Sequence, residues 1–301
     1  MFGLRDPFEY FTCAECGCLQ ISAIPDDLSK YYPAGYYSFA AVDLPRSTGL
    51  KHRLKNLRSR SYLGRGSATG SLLRAIFGLP ELPSWVEEVG IGPGAKILDV
   101  GCGAGLLLAQ LQAEGFSRVT GLDPYIPEDH SSDAPIRIFK RELADLGEDF
   151  DLIMLHHSFE HMADPLQTLR DLRDRTRPGG TVLIRIPVVP SHAWDEYGTD
   201  WVQLDAPRHL HLHSLKSMDL AAEQTGFEIA SVRFDSYALQ FWGSEQYRRG
   251  IPLRDPRSVA SGIEDSHFSE AEIAEFEHAS LELNESGRGD QACFILRRQP
   301  H

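Results

Sequence analysis

The stretch ILDVGCGAGLLLAQLQAEGF, Ile97 to Phe116, decides the fold of this 301-residue chain. It joins an apolar run to a helical pattern through three glycines, Gly101, Gly103 and Gly105. Glycine permits positive φ and lets a ligand approach the backbone, so glycines between a strand and a helix predict a ligand-binding turn. A dinucleotide-binding turn would carry its third glycine at position 106, which is a leucine here. The Gly-x-Gly-x-Gly spacing therefore argues against a dinucleotide.

Two carboxylates near the turn indicate the charge and the chemical class of the ligand. Asp99 lies near the end of the strand before the glycines, where it would repel a pyrophosphate and attract a cationic group. Asp123 ends the next apolar strand, a position from which a carboxylate accepts hydrogen bonds from ribose hydroxyls. A nucleoside with a cationic tail fits both carboxylates.

The rest of the chain predicts an α/β fold. Short β-branched runs alternate with helical patterns from residue 95 to about residue 187, which is typical of βαβ units and a parallel sheet. The predicted strands are KILDV, RVTGLD, IRIFK, DLIMLHH and TVLIRIP. After a stretch rich in Trp, His and Pro, the pattern predicts a helix (SLKSMDLAAEQTGF), a strand (EIASVRFDS), an acidic helix (SEAEIAEFEHASLEL) and a last strand (DQACFILRR).

Composition argues against several classes of protein. The formal net charge of −13 repels phosphate backbones and disfavours a nucleic-acid binder. Five unevenly spaced cysteines do not suggest a disulfide framework. No apolar run reaches the roughly 18 residues that span a bilayer, and the first residues lack a signal-peptide pattern. The expected location is the cytoplasm.

At four motifs the chain resembles the class I S-adenosylmethionine (SAM)-dependent methyltransferases. These motifs are ILDVGCGAG, GLDP, FDLIMLHHSFEHMADP and RPGGTVLIRIP, in the order that the family has them. The resemblance implies a Rossmann-like, seven-stranded, mostly parallel sheet with helices on both faces. It also implies SAM as methyl donor, with S-adenosylhomocysteine (SAH) as product. We expect an N-terminal cap over residues 1–90 and a methyltransferase domain over 91–301, with an acceptor-binding insertion after strand 5 at about 188–213.

The resemblance also implies a set of cofactor-binding residues. The methionine end of SAM would lie against Gly101, Cys102, Gly103 and Gly105, with Asp99 holding it, and Asp123 would bind the ribose. The residues implied for the adenine are Pro124 and Tyr125 on its flanks and Glu142 and Leu143 at its amino group, while His156 would line the pocket. Cys102 would be a small apolar wall.

Histidines supply the predicted acid–base chemistry. Methyl transfer to a hydroxyl or an ammonium needs a group that removes a proton, and imidazole suits that task at neutral pH. Seven of the twelve histidines fall between His156 and His213. The candidates in the loop after the fourth strand are His157, Glu160 and His161. Two alternatives stay open there: Glu160 and His161 could orient the following helix, or they could hold a divalent metal.

The insertion resembles a narrower branch of methyltransferases, found among proteins that modify sugars and cell-surface polysaccharides. Its matching residues are Asp205, Pro207, Arg208, His209, Ser214, Gly226 and Phe227. We expect it to roof the acceptor site, with His209 as general base and Arg208 holding a phosphate or carboxylate. Trp201 and Tyr36 are further predicted acceptor contacts. The alternative is a packed loop in which His209 is satisfied internally.

The N-terminal cap contains half of a metal-binding pattern. Cys13 and Cys16 resemble the second half of the zinc ribbon in that branch, but a tetrahedral zinc needs four ligands. No metal is therefore predicted as the main interpretation, and zinc on Cys13 and Cys16 stays as an alternative. The tyrosines Tyr31, Tyr32, Tyr36 and Tyr37 could form a lid or pack against the sheet.

A basic segment follows the cap. From Arg46 to Arg74 there are eight Lys or Arg residues and no Asp or Glu. Leucines at helical spacing among them fit a solvated helix of the cap, an interfacial helix on anionic lipid, or a nucleic-acid contact, in that order. Peripheral contact with a membrane or a lipid-linked substrate is the partner expected besides a small-molecule acceptor.

The sequence thus predicts a SAM-dependent methyltransferase that acts on a hydroxyl, or an amine, of a small molecule. The narrower resemblance favours a sugar or a nucleotide- or lipid-linked glycan precursor, and so a role in polysaccharide biosynthesis. The alternative acceptor is a lipid, a quinone-like compound or another natural product. An alternative of a different class is a non-catalytic SAM-binding subunit of a glycan-assembly complex.

Overall fold

A computed structural model describes residues 3–4, 6–32, 49–129, 136–264 and 266–299 of the chain. Within these residues the strands are β1 (Tyr10–Thr12), β2 (Leu19–Ile21), β3 (Lys96–Val100), β4 (Arg118–Leu122), β5 (Ile136–Phe139), β6 (Phe150–His156), β7 (Thr176–Pro187), β8 (His211–Leu212), β9 (Phe227–Phe234) and β10 (Gln291–Arg298). The α-helices are α1 (Gly49–Tyr62), α2 (Ala68–Phe77), α3 (Trp85–Val89), α4 (Leu106–Ala113), α5 (Pro165–Arg175), α6 (His192–Tyr197), α7 (Leu215–Thr225), α8 (Leu239–Arg248) and α9 (Glu270–Glu285).

Seven strands form one sheet in the order β5-β4-β3-β6-β7-β10-β9. The pairs from β5 to β7 are parallel, and β10 runs antiparallel to both β7 and β9. The predicted α/β, Rossmann-like fold with a mostly parallel sheet is therefore confirmed. The order changes direction at β3, whose carboxyl end carries the glycine-rich turn, and such a switch point is where open α/β sheets bind ligands.

Apolar side chains cover both faces of the sheet, as the near-continuous apolar runs of parallel strands require. Adjacent residues of β3 face opposite ways: Leu98 belongs to a core cluster that includes Phe150, Phe159 and Phe294. Ile97 belongs to a second cluster with Val86 and Phe116. Helices pack over both clusters, so the sheet edge where the strands end is left for the site.

One predicted strand boundary differs from the structure by more than two residues. The strand TVLIRIP was expected to begin at Thr181, but β7 begins at Thr176 and includes the RPGG segment. The pairing of β6 with β7 shifts register between Phe150 and Leu152, and this irregularity accommodates the extra residues of the longer strand.

The insertion and the N-terminal hairpin form a second, smaller sheet. Its order is β1-β2-β8, with antiparallel pairing throughout. A third apolar cluster lies beside it and includes Leu19, Trp201 and Leu212. The insertion is thus fixed by residues from the opposite end of the chain, and it is not a free loop.

The basic segment forms a helical hairpin of α1 and α2. Lys55 and Arg58 of α1 make ion pairs with Glu114, the C-cap residue of α4, which anchors the hairpin to the sheet domain. No helix in the described part of the chain is long and apolar enough to cross a membrane.

Candidate active site

The glycine-rich turn joins β3 to α4 through backbone that favours glycine. The φ angles of Gly101, Gly103 and Gly105 are 76°, 52° and 79°. A Cβ on Gly101 would lie 2.5 Å from Cβ of Ser158, and one on Gly105 would lie 2.4 Å from Cδ1 of Ile138. The loop after β6 and strand β5 therefore pack against one side of the turn. Only the opposite side of the turn can contact a ligand.

Two buried carboxyls border this turn. Asp123 accepts hydrogen bonds from the backbone N–H groups of Gly103 and Tyr125, each at 2.9 Å. Burial raises the pKa of Asp123, and these two donors oppose that shift. Burial, and then the charge of Asp123, raise the pKa of Asp99 to about 7. A cationic ligand group beside the two carboxyls would stabilise their ionised forms, as expected for the methionine end of SAM.

Aromatic and acidic residues follow Asp123 at the predicted adenine end. Tyr125 is exposed and stacks on Tyr32, with 5.8 Å between ring centroids. Burial, and then Glu142 and Asp123, raise the pKa of Tyr125, so Glu142 lies on the same side of the site. Pro124 is half-buried, whereas Leu143 belongs to the main core cluster. The structure thus brings Tyr125 and Glu142 together.

Cys102 and His156 face inward. Cys102 Sγ lies against the backbone of Gly121 in β4, and burial raises the pKa of the thiol well above its usual range. Such a thiol is a packing group and no nucleophile. His156 packs on Trp85 of α3, at 5.6 Å between ring centroids, and burial lowers its pKa to about 3.

The loop after β6 carries a strained residue beside the glycine-rich turn. His157 has φ 53°, and Asp205 of the insertion, with φ 37°, is the other non-glycine residue with positive φ in the described ranges. Arg185 Nη1 donates to His157 Nε2 at 3.0 Å, so the His157 proton is on Nδ1, which lies 3.5 Å from Oε1 of Glu160. Strained backbone of this kind concentrates at functional sites.

Glu160 lies at the centre of the site. Its side chain is fully buried, and neither carboxylate oxygen has a hydrogen-bond partner among the described residues. Burial favours the neutral form, but the close approach of His157 Nδ1 and the charges of His161, His209 and His157 outweigh it and lower the pKa of Glu160 to about 2. Glu160 is thus a buried carboxylate surrounded by imidazoles.

His161 and His209 lie beside this carboxylate, and each is held through its Nδ1 atom. His161 Nδ1 bonds to the carbonyl oxygen of Arg208 and His209 Nδ1 to that of Gln203, both at 2.7 Å. A carbonyl only accepts, so each Nδ1 carries the proton and each Nε2 carries a lone pair. His209 Nε2 lies 3.9 Å from Oε1 of Glu160. Burial lowers the pKa of His209 to about 4, which keeps it neutral at pH 7.

Backbone pairing holds the insertion against the loop. The N–H of Leu210 donates to the carbonyl of Glu160 at 2.8 Å, and Tyr10 of β1 donates its hydroxyl to the carbonyl of His209 at 2.8 Å. The predicted roof over the site thus places His209 beside Glu160. In the described part of the chain, Glu160, His161 and His209 are the one group of three or more residues that could hold a metal ion.

A cavity of about 440 Å³ opens on the other side of this roof. Arg208, the predicted anion-binding residue, lines it but is buried and paired with Asp205. Trp201 lines it too, but the indole is fully buried and donates to Oδ2 of Asp290 at 2.9 Å, so its polar edge faces the core. Tyr36 and Tyr37 lie outside the described residues.

Other N-terminal residues take different places. Tyr31 donates to Oδ2 of Asp6, and Tyr32 lies between Tyr125 and His161, with its hydroxyl 3.4 Å from His161 Nδ1. Cys13 and Cys16 occupy the turn between β1 and β2 as free thiols, and no third potential ligand joins them within the described ranges.

Sequence reasoning missed Tyr32 as a bridge between the two halves of the site, and it missed Ser158 and Arg185 entirely. Ser158 donates to the carbonyl of Val100 at 2.7 Å and so fixes the loop after β6 against β3. Arg185 Nε bonds to Oδ2 of Asp235 at 2.7 Å and sets the tautomer of His157. Their positions at strand ends were the available signal, but their partners come from distant parts of the chain.

Comparison with known proteins agrees with this geometry. A family model described as a methyltransferase domain matches residues 72–232, more than half of the chain. A ubiquinone biosynthesis O-methyltransferase of Azorhizobium caulinodans is 32% identical over 155 residues, which cover 46% of this chain and 61% of that protein. The protein of the same description from Bordetella avium is 30% identical over 173 residues, covering 51% and 70%. The protein of the same description from Ruegeria pomeroyi is 35% identical over 132 residues, which cover 39% of this chain and 52% of that protein.

Solved structures of low sequence identity also match the chain. A SAM-dependent methyltransferase from Mesorhizobium loti is 21% identical, with a TM-score of 0.41, and the alignment covers 78% of this chain and all of the other. A mycolic acid cyclopropane synthase complexed with SAH and CTAB is 16% identical, with a TM-score of 0.47, covering 77% and 86%.

Proposed function

Since the chain belongs to the methyltransferase domain family and is a SAM-dependent methyltransferase, we propose that it methylates a hydroxyl oxygen of a quinone-like, phenolic small molecule. The observation that carries this proposal is the buried Glu160 carboxylate with His161 and His209 beside it, where His209 Nε2 lies 3.9 Å from Oε1. A phenol must lose its proton to become a good nucleophile, and a buried cluster of this kind promotes that loss.

The cavity supports an aromatic acceptor by its size and lining. About 440 Å³ is within the range of small-molecule pockets. Four aromatic residues line it, namely Phe8, Tyr31, Trp201 and Tyr247. Flat apolar rings of this kind favour an acceptor with a ring of its own.

The charges around the cavity disfavour a nucleotide sugar, which the sequence alone suggested. Three aspartates line it against two arginines, and Arg208 is already paired with Asp205. A diphosphate would have to displace that pair and face the remaining carboxylates. The quinone-like acceptor, by contrast, agrees with the description of the relatives, although the chain spans only 61% and 52% of the first two of them.

In this mechanism SAM, when bound, supplies a methyl group on a positively charged sulfur. The glycine-rich turn, Asp99 and Asp123 would hold it at the end of β3, and the insertion would hold the acceptor. The cluster of Glu160, His161 and His209 would promote transfer of the acceptor proton to water. The electron pair left on the acceptor oxygen would then form the new C–O bond while the bond from the methyl carbon to sulfur breaks, which leaves SAH as the product.

The test is transfer of labelled methyl from SAM to defined acceptors by the purified chain. The panel contains an ortho-dihydroxy phenol with a short isoprenoid tail, a nucleotide sugar and a lipid-linked sugar. We expect label in the phenol, and a loss of about 10²-fold or more in kcat for His209→Ala with SAH affinity within about twofold of wild type.

His278→Ala is the matched control, because His278 is an exposed histidine of α9 far from the cluster. It should leave both turnover and SAH affinity unchanged. Label in the sugars and not in the phenol would overturn the acceptor class. SAH binding without transfer to any acceptor, in the wild-type chain, would favour a non-catalytic SAM-binding subunit.

A further inference from the structure

We propose that Glu160, His161 and His209 form a binding site for one divalent transition-metal ion, of the chemical class of Zn²⁺ or Co²⁺. One ligand atom from each residue lies within 4.8 Å of the other two. The residues come from two elements, the loop after β6 and the insertion. Hydrogen bonds between these two elements, such as that from the N–H of Leu210 to the carbonyl of Glu160, bring the three side chains together.

The first argument is the state of the carboxylate. Both oxygens of Glu160 are inaccessible to water and lack hydrogen bonds among the described residues. A buried carboxylate without a partner is costly, and native proteins pair such groups or bind a cation with them. His157 Nδ1 approaches Oε1 at 3.5 Å, and His209 Nε2 approaches the same oxygen at 3.9 Å.

The second argument is the orientation of the imidazoles. Each of the two histidines donates its Nδ1–H to a backbone carbonyl at 2.7 Å, that of Arg208 or Gln203. Metal-binding histidines are typically oriented by such a bond, which fixes the tautomer and leaves Nε2 as the ligand. The lone pair of His209 Nε2 thus lies among carboxylate oxygens, 3.9 Å from Oε1 of Glu160 and 3.8 Å from Oδ2 of Asp205.

Distances and ligand types suit a transition metal. Bonds of about 2.0–2.2 Å place the ligands of a tetrahedral ion roughly 3.3–3.6 Å apart, so these side chains need to approach by about 1 Å. Rotation about side-chain torsions is sufficient for that. Two imidazoles and one carboxylate match zinc better than Mg²⁺ or Ca²⁺, which prefer oxygen ligands, and three protein ligands leave a fourth position open.

The open position gives the ion a role that rests on the proposed function. An acceptor hydroxyl oxygen bound there would ionise more readily, its proton passing to water and its electron pair remaining on the oxygen. That electron pair forms the bond to the methyl carbon while the bond from that carbon to sulfur breaks. The oxidation state of the ion does not change.

Metal binding is tested directly, without turnover. The chelator-treated chain is titrated with Co²⁺, whose visible absorption reports nitrogen and oxygen ligands, and bound metal is counted after gel filtration. We expect one Co²⁺ per chain, displaced by Zn²⁺, with affinity lowered at least about tenfold in Glu160→Gln and in His209→Gln. SAH affinity and melting temperature measured on each variant show that the fold is kept.

His211→Ala is the matched control, since His211 lies on β8 two residues from His209 and bonds to the carbonyl of Met162 instead. It should bind Co²⁺ as the wild type does. Absence of stoichiometric uptake, uptake unchanged in both cluster variants, or uptake that is lost in Cys13→Ser would each overturn the site.

The two proposals fail separately. Co²⁺ bound at the cluster with no methyl transfer to any phenol would leave the metal site standing and remove the proposed acceptor. Transfer to the phenol by a metal-free chain, undiminished by chelator, would leave the proposed function standing and remove the ion from its mechanism.

Discussion

Asp99 is a single residue whose charge should govern cofactor affinity. Burial and Asp123 raise its pKa to about 7, so in the free protein the carboxyl is protonated below that pH. A cationic ligand group binds the ionised form, and affinity therefore rises as pH increases toward 7 and then levels off. From pH 8 to pH 6 we expect SAH binding to weaken about tenfold by calorimetry.

Asp99→Asn should bind SAH more weakly and remove most of this pH dependence. Asp149→Asn, at an exposed aspartate before β6, serves as the control and should keep the wild-type profile. A pH profile that is the same in Asp99→Asn and in wild type would show that another group controls binding.

Gly101 makes a second prediction at the scale of one residue. Gly101→Ala would place its Cβ 2.5 Å from Cβ of Ser158, at a φ of 76°. Backbone strain and steric overlap would therefore both destabilise the folded variant. We expect a loss of about 1–3 kcal/mol in the free energy of unfolding and at least about tenfold in SAH affinity.

Gly94→Ala is the matched control for this change, since a Cβ at Gly94 meets nothing within 4 Å. It should leave both the unfolding free energy and SAH affinity close to wild type. A Gly101→Ala variant as stable and as tightly binding as Gly94→Ala would mean that the loop beside Ser158 can move aside.

At the scale of elements, α7 links the insertion to the N-terminal hairpin through its cap. Ser214 accepts from the N–H of Ser217 at 2.9 Å and donates its hydroxyl to the carbonyl of Cys16. Ser214→Ala should therefore lower the free energy of unfolding by more than the loss of a helix cap alone, which is about 1 kcal/mol. We expect a loss of about 2 kcal/mol in the free energy of unfolding, measured with urea.

Ser269→Ala provides the comparison, because Ser269 caps α9 with the same capping box and has no bond to a distant segment among the bonds described. Ser269→Ala should lower the free energy of unfolding by about 1 kcal/mol. Equal costs for the two serines would show that the bond to Cys16 adds nothing to the stability of the small sheet.

At the scale of the whole molecule, the hairpin of α1 and α2 presents an apolar face with cations beside it. Leu50, Leu72, Ile76 and Phe77 are all largely exposed, and Lys51 and Arg53 flank them in the sequence. Peripheral contact with a membrane stays a prediction, and this face is where we expect it. Burial of each of these side chains in the membrane would contribute about 1.5–3 kcal/mol to the free energy of binding. The neighbouring cations favour anionic lipid.

Sedimentation with phosphatidylglycerol-containing vesicles tests this face. The wild type should sediment, and the double change Leu72→Glu with Ile76→Glu should reduce binding at least about tenfold. Leu281→Glu, at an exposed leucine of the acidic helix α9, is the control and should bind as before. No sedimentation of the wild type at low salt would refute the membrane contact.

The sequence alone predicted the parts of the fold that depend on local pattern. The run from Ile97 to Phe116, the alternation of apolar runs with helical patterns and the carboxylates at strand ends predicted the mostly parallel sheet and the class of cofactor. These predictions hold because strand period, helix period and the φ of a tight turn are properties of consecutive residues.

Tertiary structure decided what distant segments do together. The sequence could name Glu160, His161 and His209 as candidates, but it could not show that pairing of Leu210 with Glu160 brings the two imidazoles beside one buried carboxylate. Nor could it show that Asp205 pairs with Arg208 and so weakens the case for a phosphate-bearing acceptor. These outcomes depend on which side chains pack against each other across the fold, and periodicity carries no information about that.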